Sequence, residues 1–117
     1  MLITTRGRGR WVIPKGWAEK GVAPHDLAAR EAYEEAGLLG RAQEEPLGIY
    51  CSRKRLPNGR RVTCQVEVFA LSVESRAEDW PERGQRRKRW VPADEAAALV
   101  FDPGLADFLQ GLRLTAA

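Results

Sequence analysis

Histidine and cysteine are scarce in this chain: it contains one histidine, His25, and two cysteines, Cys51 and Cys64. A single histidine gives no basis for a Ser/His/Asp or Cys/His catalytic constellation. Two cysteines do not make a disulfide framework, and free thiols point to a reducing cytoplasm. Long apolar runs are also missing, since none approaches the roughly 18 to 20 residues of a membrane span. The opening MLITTRGRGR has no apolar core of the kind a secretory signal requires. There are no internal repeats, low-complexity tracts or linkers, so residues 1–117 read as one domain with a real core.

A 44% hydrophobic share and 30% charged residues fit a soluble globular protein. The net charge of +3 says little, but its distribution says more. Basic residues gather in three places: Arg6, Arg8, Arg10 and Lys15; Arg53, Lys54, Arg55, Arg60 and Arg61; and Arg83, Arg86, Arg87, Lys88 and Arg89. Each cluster alone reads as a solvated face. Three of them beside one acidic segment suggest anionic groups held by arginine and a metal held by glutamate.

Short strands are expected at Leu2–Thr5 and Arg10–Ile13, separated by the turn-like RGRG. A helix is expected from Pro24, with Asp26 in its first turn, Ala23 as a poor cap, and Gly37 ending it in the left-handed region. LGIYCSRKR and RVTCQVEVFALSV read as two strands around Pro57-Asn58-Gly59. If Asn58 and Gly59 alone form the turn, Cys51 faces Val66 and Cys64 faces Arg53. The cysteines are then diagonal neighbours, about 7 to 8 Å apart and too far for easy bridging. Val62, Cys64, Val66, Val68 and Ala70 share the face expected to be buried. Arg87–Val91 reads as a strand, PADEAAALV as helical, and PGLADFLQGL as a C-terminal helix with Leu105, Phe108, Leu109 and Leu112 on one face. The whole is an α/β layered domain with a mixed sheet.

On the expected helix Glu31, Glu34 and Glu35 lie at i, i+3 and i+4, with Ala29, Ala32 and Ala36 assigned to the opposite, sheet-facing side. Like charges at these spacings cost an isolated helix a few tenths of a kcal/mol per pair. Three carboxylates on a rigid helix suit Mg²⁺ or Mn²⁺, hard ions that take oxygen ligands. Arg30, next to Glu34 on the wheel, can fix a carboxylate's orientation. From spacing alone, a metal site and a solvated acidic face both remain open.

The stretch GWAEKGVAPHDLAAREAYEEAGL, Gly16 to Leu38, resembles the Nudix box, G-x5-E-x7-R-E-U-x-E-E-x-G-U with U a bulky aliphatic residue. Gly16, Arg30, Glu31, Glu34, Glu35, Gly37 and Leu38 match at their spacings, while Val22 replaces the first glutamate and Ala32 a bulkier aliphatic residue. RWVIPKGW before the box and WPERGQRRKRWVPADEAAALV after it resemble the branch of diphosphoinositol polyphosphate phosphohydrolases and their bacterial relatives. The resemblance implies an α/β/α sandwich with a mixed sheet. The family has a further strand ahead of Leu2–Thr5, so the resemblance also implies a missing first strand, a swapped strand or an incomplete N-terminus.

The same resemblance implies a pyrophosphatase that hydrolyses a diphosphate linkage with Mg²⁺ or Mn²⁺. Glu34 and Glu35 would be metal ligands, Glu31 a ligand or the base, and Arg30 their orienting partner. Glu19 is a candidate extra ligand where Val22 has none to give, and Glu78, Asp79 or Glu82 are alternative bases from a later loop. Phosphate would be met by Arg6, Arg8, Arg10, Lys15 and the backbone at Gly16, with Trp17, Arg87 and Arg89 as further candidates. The expected partner is a phosphorylated small molecule, such as an inositol pyrophosphate or a dinucleoside polyphosphate. Membrane and nucleic acid are not expected partners, and the chain would act as a monomer or homodimer. The rival reading is a non-catalytic module that binds RNA or a phosphorylated ligand through the basic clusters.

Overall fold

The computed structural model describes residues 1–112, so the last five residues of the expected domain lie outside it. In chain order the elements are β1 (Leu2–Thr4), β2 (Trp11–Val12), α1 (Pro24–Ala36), β3 (Leu38–Ala42), β4 (Gly48–Arg55), β5 (Arg61–Val68), β6 (Leu71–Arg76), β7 (Lys88–Arg89), α2 (Ala93–Leu99) and α3 (Pro103–Gly111). This is the expected α/β architecture. Its strands form three antiparallel ladders, β2-β1-β7, β3-β6 and β4-β5, and a parallel link occurs as the bridge between Trp11 and Val100.

Strand β1 shows how the layers form. Successive side chains of a strand point to opposite faces. Leu2 packs with Tyr50, Ala96, Ala97, Leu105 and Leu109 on the α2/α3 side, while Ile3 packs with Ala32, Ala36 and Leu38 on the α1 side. Two adjacent residues thus seat helices on both faces of the strand.

The β4–β5 register differs by one from the expected pairing. Ser52 faces Cys64 and Cys51 faces Gln65. Leu56 N–H donates to the Arg60 carbonyl and Gly59 has φ 86°, so Pro57, Asn58 and Gly59 form a three-residue loop, not a two-residue one. One more loop residue moves the partner by one and sends the two cysteines to opposite faces. Both are free thiols. The expected alternation of β5 holds through Val68: Val62, Cys64, Val66 and Val68 are half-buried between exposed neighbours. The long second strand breaks at Phe69 and Ala70, and its remainder pairs as β6 with β3, an element the sequence reading had not assigned.

Candidate active site

Helix α1 begins at Pro24, behind Ala23, which offers no side-chain cap. It ends at Gly37 with φ 69°, where the indole of Trp80 lies so close that a Cβ would fall 2.5 Å from it. The helix buries Leu27, Ala32, Glu35 and Ala36. This corrects the expected division into an alanine side and an opposite glutamate side. On the helical wheel Glu35 lies only about 60° from Ala32, inside the buried face. Glu31 is also largely covered, at 16% side-chain exposure, whereas Glu34 is 39% exposed.

The loop before the helix closes over these carboxyls. At Gly16 a Cβ would fall 2.6 Å from both Cδ and Oε1 of Glu31, so the missing side chain leaves Glu31 its space. The Lys15 amide donates to Glu35 Oε1 at 3.4 Å. Burial pushes the Glu35 carboxyl up to about 8, and the hydrogen bond and negative charge of Glu31 reinforce it; the Arg86 guanidinium and the Lys15 amide act the other way. Arg30 spans the outer side: its Nη2 is paired with Glu19 and lies 3.8 Å from Glu31 Oε1, and its Nε lies 4.0 Å from Glu34 Oε1. That Nε is buried without a hydrogen-bond partner. Among the described residues no three His, Cys, Asp or Glu side chains already form a coordination shell.

Residues 1–112, which include Arg30, Glu31, Glu34 and Glu35, match the NUDIX domain. The chain belongs to the Nudix domain family. It is similar to Nudix hydrolase 12, mitochondrial, of Arabidopsis thaliana, with 36% identity over 102 residues, covering 85% of this chain and 50% of that protein. Nudix hydrolase 13, mitochondrial, of the same plant is 34% identical over 119 residues, 94% of this chain and 59% of that protein. Diphosphoinositol polyphosphate phosphohydrolase 2 of Rattus norvegicus is 29% identical over 118 residues, 97% of this chain and 62% of that protein. The chain therefore spans about half to three-fifths of the length of these relatives.

Other candidate residues of this Nudix domain scatter. Lys15 and Gly16 border the carboxyls and, with Trp17, line an apolar cleft of about 710 Å³ between α1 and the β4–β5 hairpin, which the three glutamates do not line. Val22, in place of the box glutamate, is part of that apolar lining. Glu19 is occupied by Arg30. Arg6 reaches Glu82 at 3.7 Å and donates to Gln85 Oε1 at 3.1 Å. Arg10 lies over the Phe101 ring at 3.6 Å and Arg87 over Trp11 at 5.4 Å, both turned away to aromatic faces. Arg8 is exposed, and Arg89 is exposed on β7; neither is ion-paired to a carboxylate of α1 among the described residues.

Of the three alternative bases only Glu82 is drawn to the site; Asp79, 85% exposed, instead lies 3.9 Å from Arg83. The sequence reading missed Arg86. It belonged to a run of basic residues with no mark to single it out, yet it is the cation that reaches Glu35, at 3.9 Å. Trp80 was missed as well, although Gly37, two residues after Glu35, is where its indole packs.

Proposed function

We propose that the chain is a divalent-metal-dependent hydrolase that cleaves a diphosphate linkage by attack of water on phosphorus. The substrate would be a nucleoside diphosphate joined to a further group, or a more highly phosphorylated molecule such as an inositol pyrophosphate or a dinucleoside polyphosphate. The observation that carries this reading is the close pair Glu31 and Glu35 on one helix, Glu31 largely covered and seated against Gly16, Glu35 buried and pushed up to about 8. Two crowded carboxyls on one helix face are a costly arrangement unless a cation relieves it.

The donor set fits Mg²⁺ or Mn²⁺, since Glu31, Glu34 and Glu35 offer only carboxylate oxygens, the ligands these hard ions take. Glu31, Glu34 and Glu35 would hold the ion. When bound, the ion would neutralise phosphate charge and lower the pKa of a water. Arg30 orients the carboxyls, and it already engages Glu19, which leaves Glu19 a support to Arg30 before it is a ligand. Should Glu31 not hold the ion, it would instead be the base that accepts a proton from the attacking water, its carboxyl being partly open to solvent. Lys15, on the exposed loop beside Glu35, would meet phosphate. The similarity to the rat diphosphoinositol polyphosphate phosphohydrolase 2 supports a phosphate-rich substrate. The two free thiols suit a reducing compartment such as the cytoplasm, and no helix among the described residues is long and apolar enough to cross a membrane.

A hydrolysis panel tests the proposal: inositol pyrophosphates, dinucleoside polyphosphates, nucleoside triphosphates and ADP-ribose, each with Mg²⁺, Mn²⁺ or EDTA. Turnover that needs the metal and falls by about 100-fold or more in Glu35→Gln is expected, the size of effect from removing a major charge-stabilising group. Undiminished turnover in that variant overturns the assignment. Salt-sensitive RNA binding with no turnover at all would make the chain a binding module instead.

A further inference from the structure

We propose that Arg86 is a positioning residue that fixes the α1 carboxyls by tying them to β1 and to the loop before β7. The inference rests on the metal-dependent reading above and assigns to Arg86 a part that the box motif does not contain.

One guanidinium joins three segments. Arg86 Nη1 donates to the Thr4 carbonyl of β1 at 3.0 Å, and Nε donates to Glu82 Oε1 at 3.0 Å. Its Nη2 lies 2.9 Å from the same Glu82 oxygen and 3.9 Å from Glu35 Oε1 of α1. The side chain is only 12% exposed, and Glu35 is 7% exposed. The backbone beside it is fixed twice over, because the Arg87 amide donates to Thr4 Oγ1 at 2.9 Å and the Thr4 amide to the Arg87 carbonyl at 3.1 Å. Glu82 is fixed as well: its amide donates to the Glu34 carbonyl at 3.0 Å. Strand β1, the Glu82 loop and the last turns of α1 therefore meet at a single planar fork.

Three roles are possible for such a residue, and they separate by geometry. A phosphate-binding arginine needs free donors facing the cleft, but most of this fork is already committed and its side chain is largely covered. A purely structural arginine would not need to reach Glu35. Arg86 does reach it, while the charge it carries offsets one of the two crowded carboxyls. Glu82, held by both Arg86 and Arg6, is in turn poorly free to act as a base and serves as the anchor of Arg86. The planar fork is what spans three partners; a lysine ammonium is a point charge on a flexible stem and holds fewer of them.

The test uses Arg86→Gln and Arg86→Lys in the full chain, with Mn²⁺ binding followed by electron paramagnetic resonance and steady-state kinetics on the best substrate of the panel. Arg86→Gln is expected to weaken Mn²⁺ binding about 10-fold or more, the scale of outer-shell losses at metal sites, and to lower kcat with KM nearly unchanged. Arg86→Lys should recover part of the Mn²⁺ affinity. Glu82→Gln, at the half-buried anchor of the fork, should move both readouts the same way by less, and it substitutes should Arg86→Gln fail to fold. A variant that raises KM alone, with Mn²⁺ binding unchanged, would make Arg86 a phosphate contact and overturn the proposal. Equal Mn²⁺ affinity in all variants, with only a lower Tm, would also overturn it, as would a parent protein that binds no Mn²⁺. A parent whose Mn²⁺ affinity falls in Arg86→Gln but which turns over no diphosphate would sink the proposed activity and leave the positioning role standing.

Discussion

At position 16 only a glycine leaves Glu31 its place, because a Cβ would fall 2.6 Å from Glu31 Cδ and Oε1. The opposing atoms are the end of a flexible side chain, so the chain can yield by moving the carboxyl. Gly16→Ala is therefore expected to cost little stability, within about 1 kcal/mol by urea unfolding, and to lower kcat by about 10- to 100-fold through misplacement of Glu31. A variant that loses stability but keeps full kcat would show that the loop, not the carboxyl, absorbs the contact. Glu35 makes a second prediction at this scale. Its carboxyl, ordinarily near 4.5, is pushed up to about 8 by burial and by Glu31. Between those values the folded state keeps the proton and the unfolded state does not, so unfolding free energy falls as pH rises through that window. In EDTA the Tm should decline from about pH 5 to about pH 8, and Glu35→Gln, which cannot titrate, should flatten that decline.

Among the elements, α1 and α3 are begun in different ways. The sequence marked Pro24 and Gly37 as the limits of α1, and both hold because proline and a left-handed glycine act through local backbone sterics. Its weak N-cap was legible too. Which glutamates it buries was not, because the wheel gives relative angles and the sheet decides which arc faces inward. Helix α1 has no basic residue in its last turn, yet Lys88 Nζ of β7 donates to the Ala36 carbonyl at 3.1 Å. That cation at the helix C-terminus comes from fifty-two residues away and no local pattern could announce it. Helix α3 is capped by Asp102, whose carboxylate accepts from the Gly104 amide at 2.8 Å and from Ser52 Oγ at 2.5 Å. Asp102→Ala is expected to destabilise the protein by about 1 to 2 kcal/mol, read as a lower urea midpoint with unchanged m-value. The hairpin shows the same limit of local reading: Asn58-Gly59 fixed that a turn exists, while the Leu56–Arg60 bond fixed its length and hence the register.

Over the whole molecule, β1 is the seam on which both helical layers close. Leu105, 1% exposed, packs with Leu2 and Tyr50 in the α2/α3 cluster, and Ile3, fully buried, packs with Ala32 and Ala36 in the α1 cluster. Leu105→Ala should cost about 2 to 5 kcal/mol by urea unfolding, the range for a buried large-to-small change. It should leave Mn²⁺ affinity close to that of the parent, because the carboxyls belong to the other cluster. Loss of Mn²⁺ binding at temperatures where this variant stays folded would show that the two layers are coupled through β1.

What the sequence determined by itself is the chemistry carried at fixed local spacings: the i, i+3, i+4 glutamates, Arg30 beside them, the glycines at 16 and 37, and the alternation of β5. These follow from helix and strand periods and from the sterics of single residues, all of which act within a few positions. The tertiary structure decided which carboxyls are buried, that Arg86 and not its basic neighbours faces Glu35, and that Arg10 and Arg87 go to aromatic rings. Those choices depend on how α1, β1 and the loop before β7 are brought together. A run of arginines carries the same charge at every position, and only packing tells one member from the next.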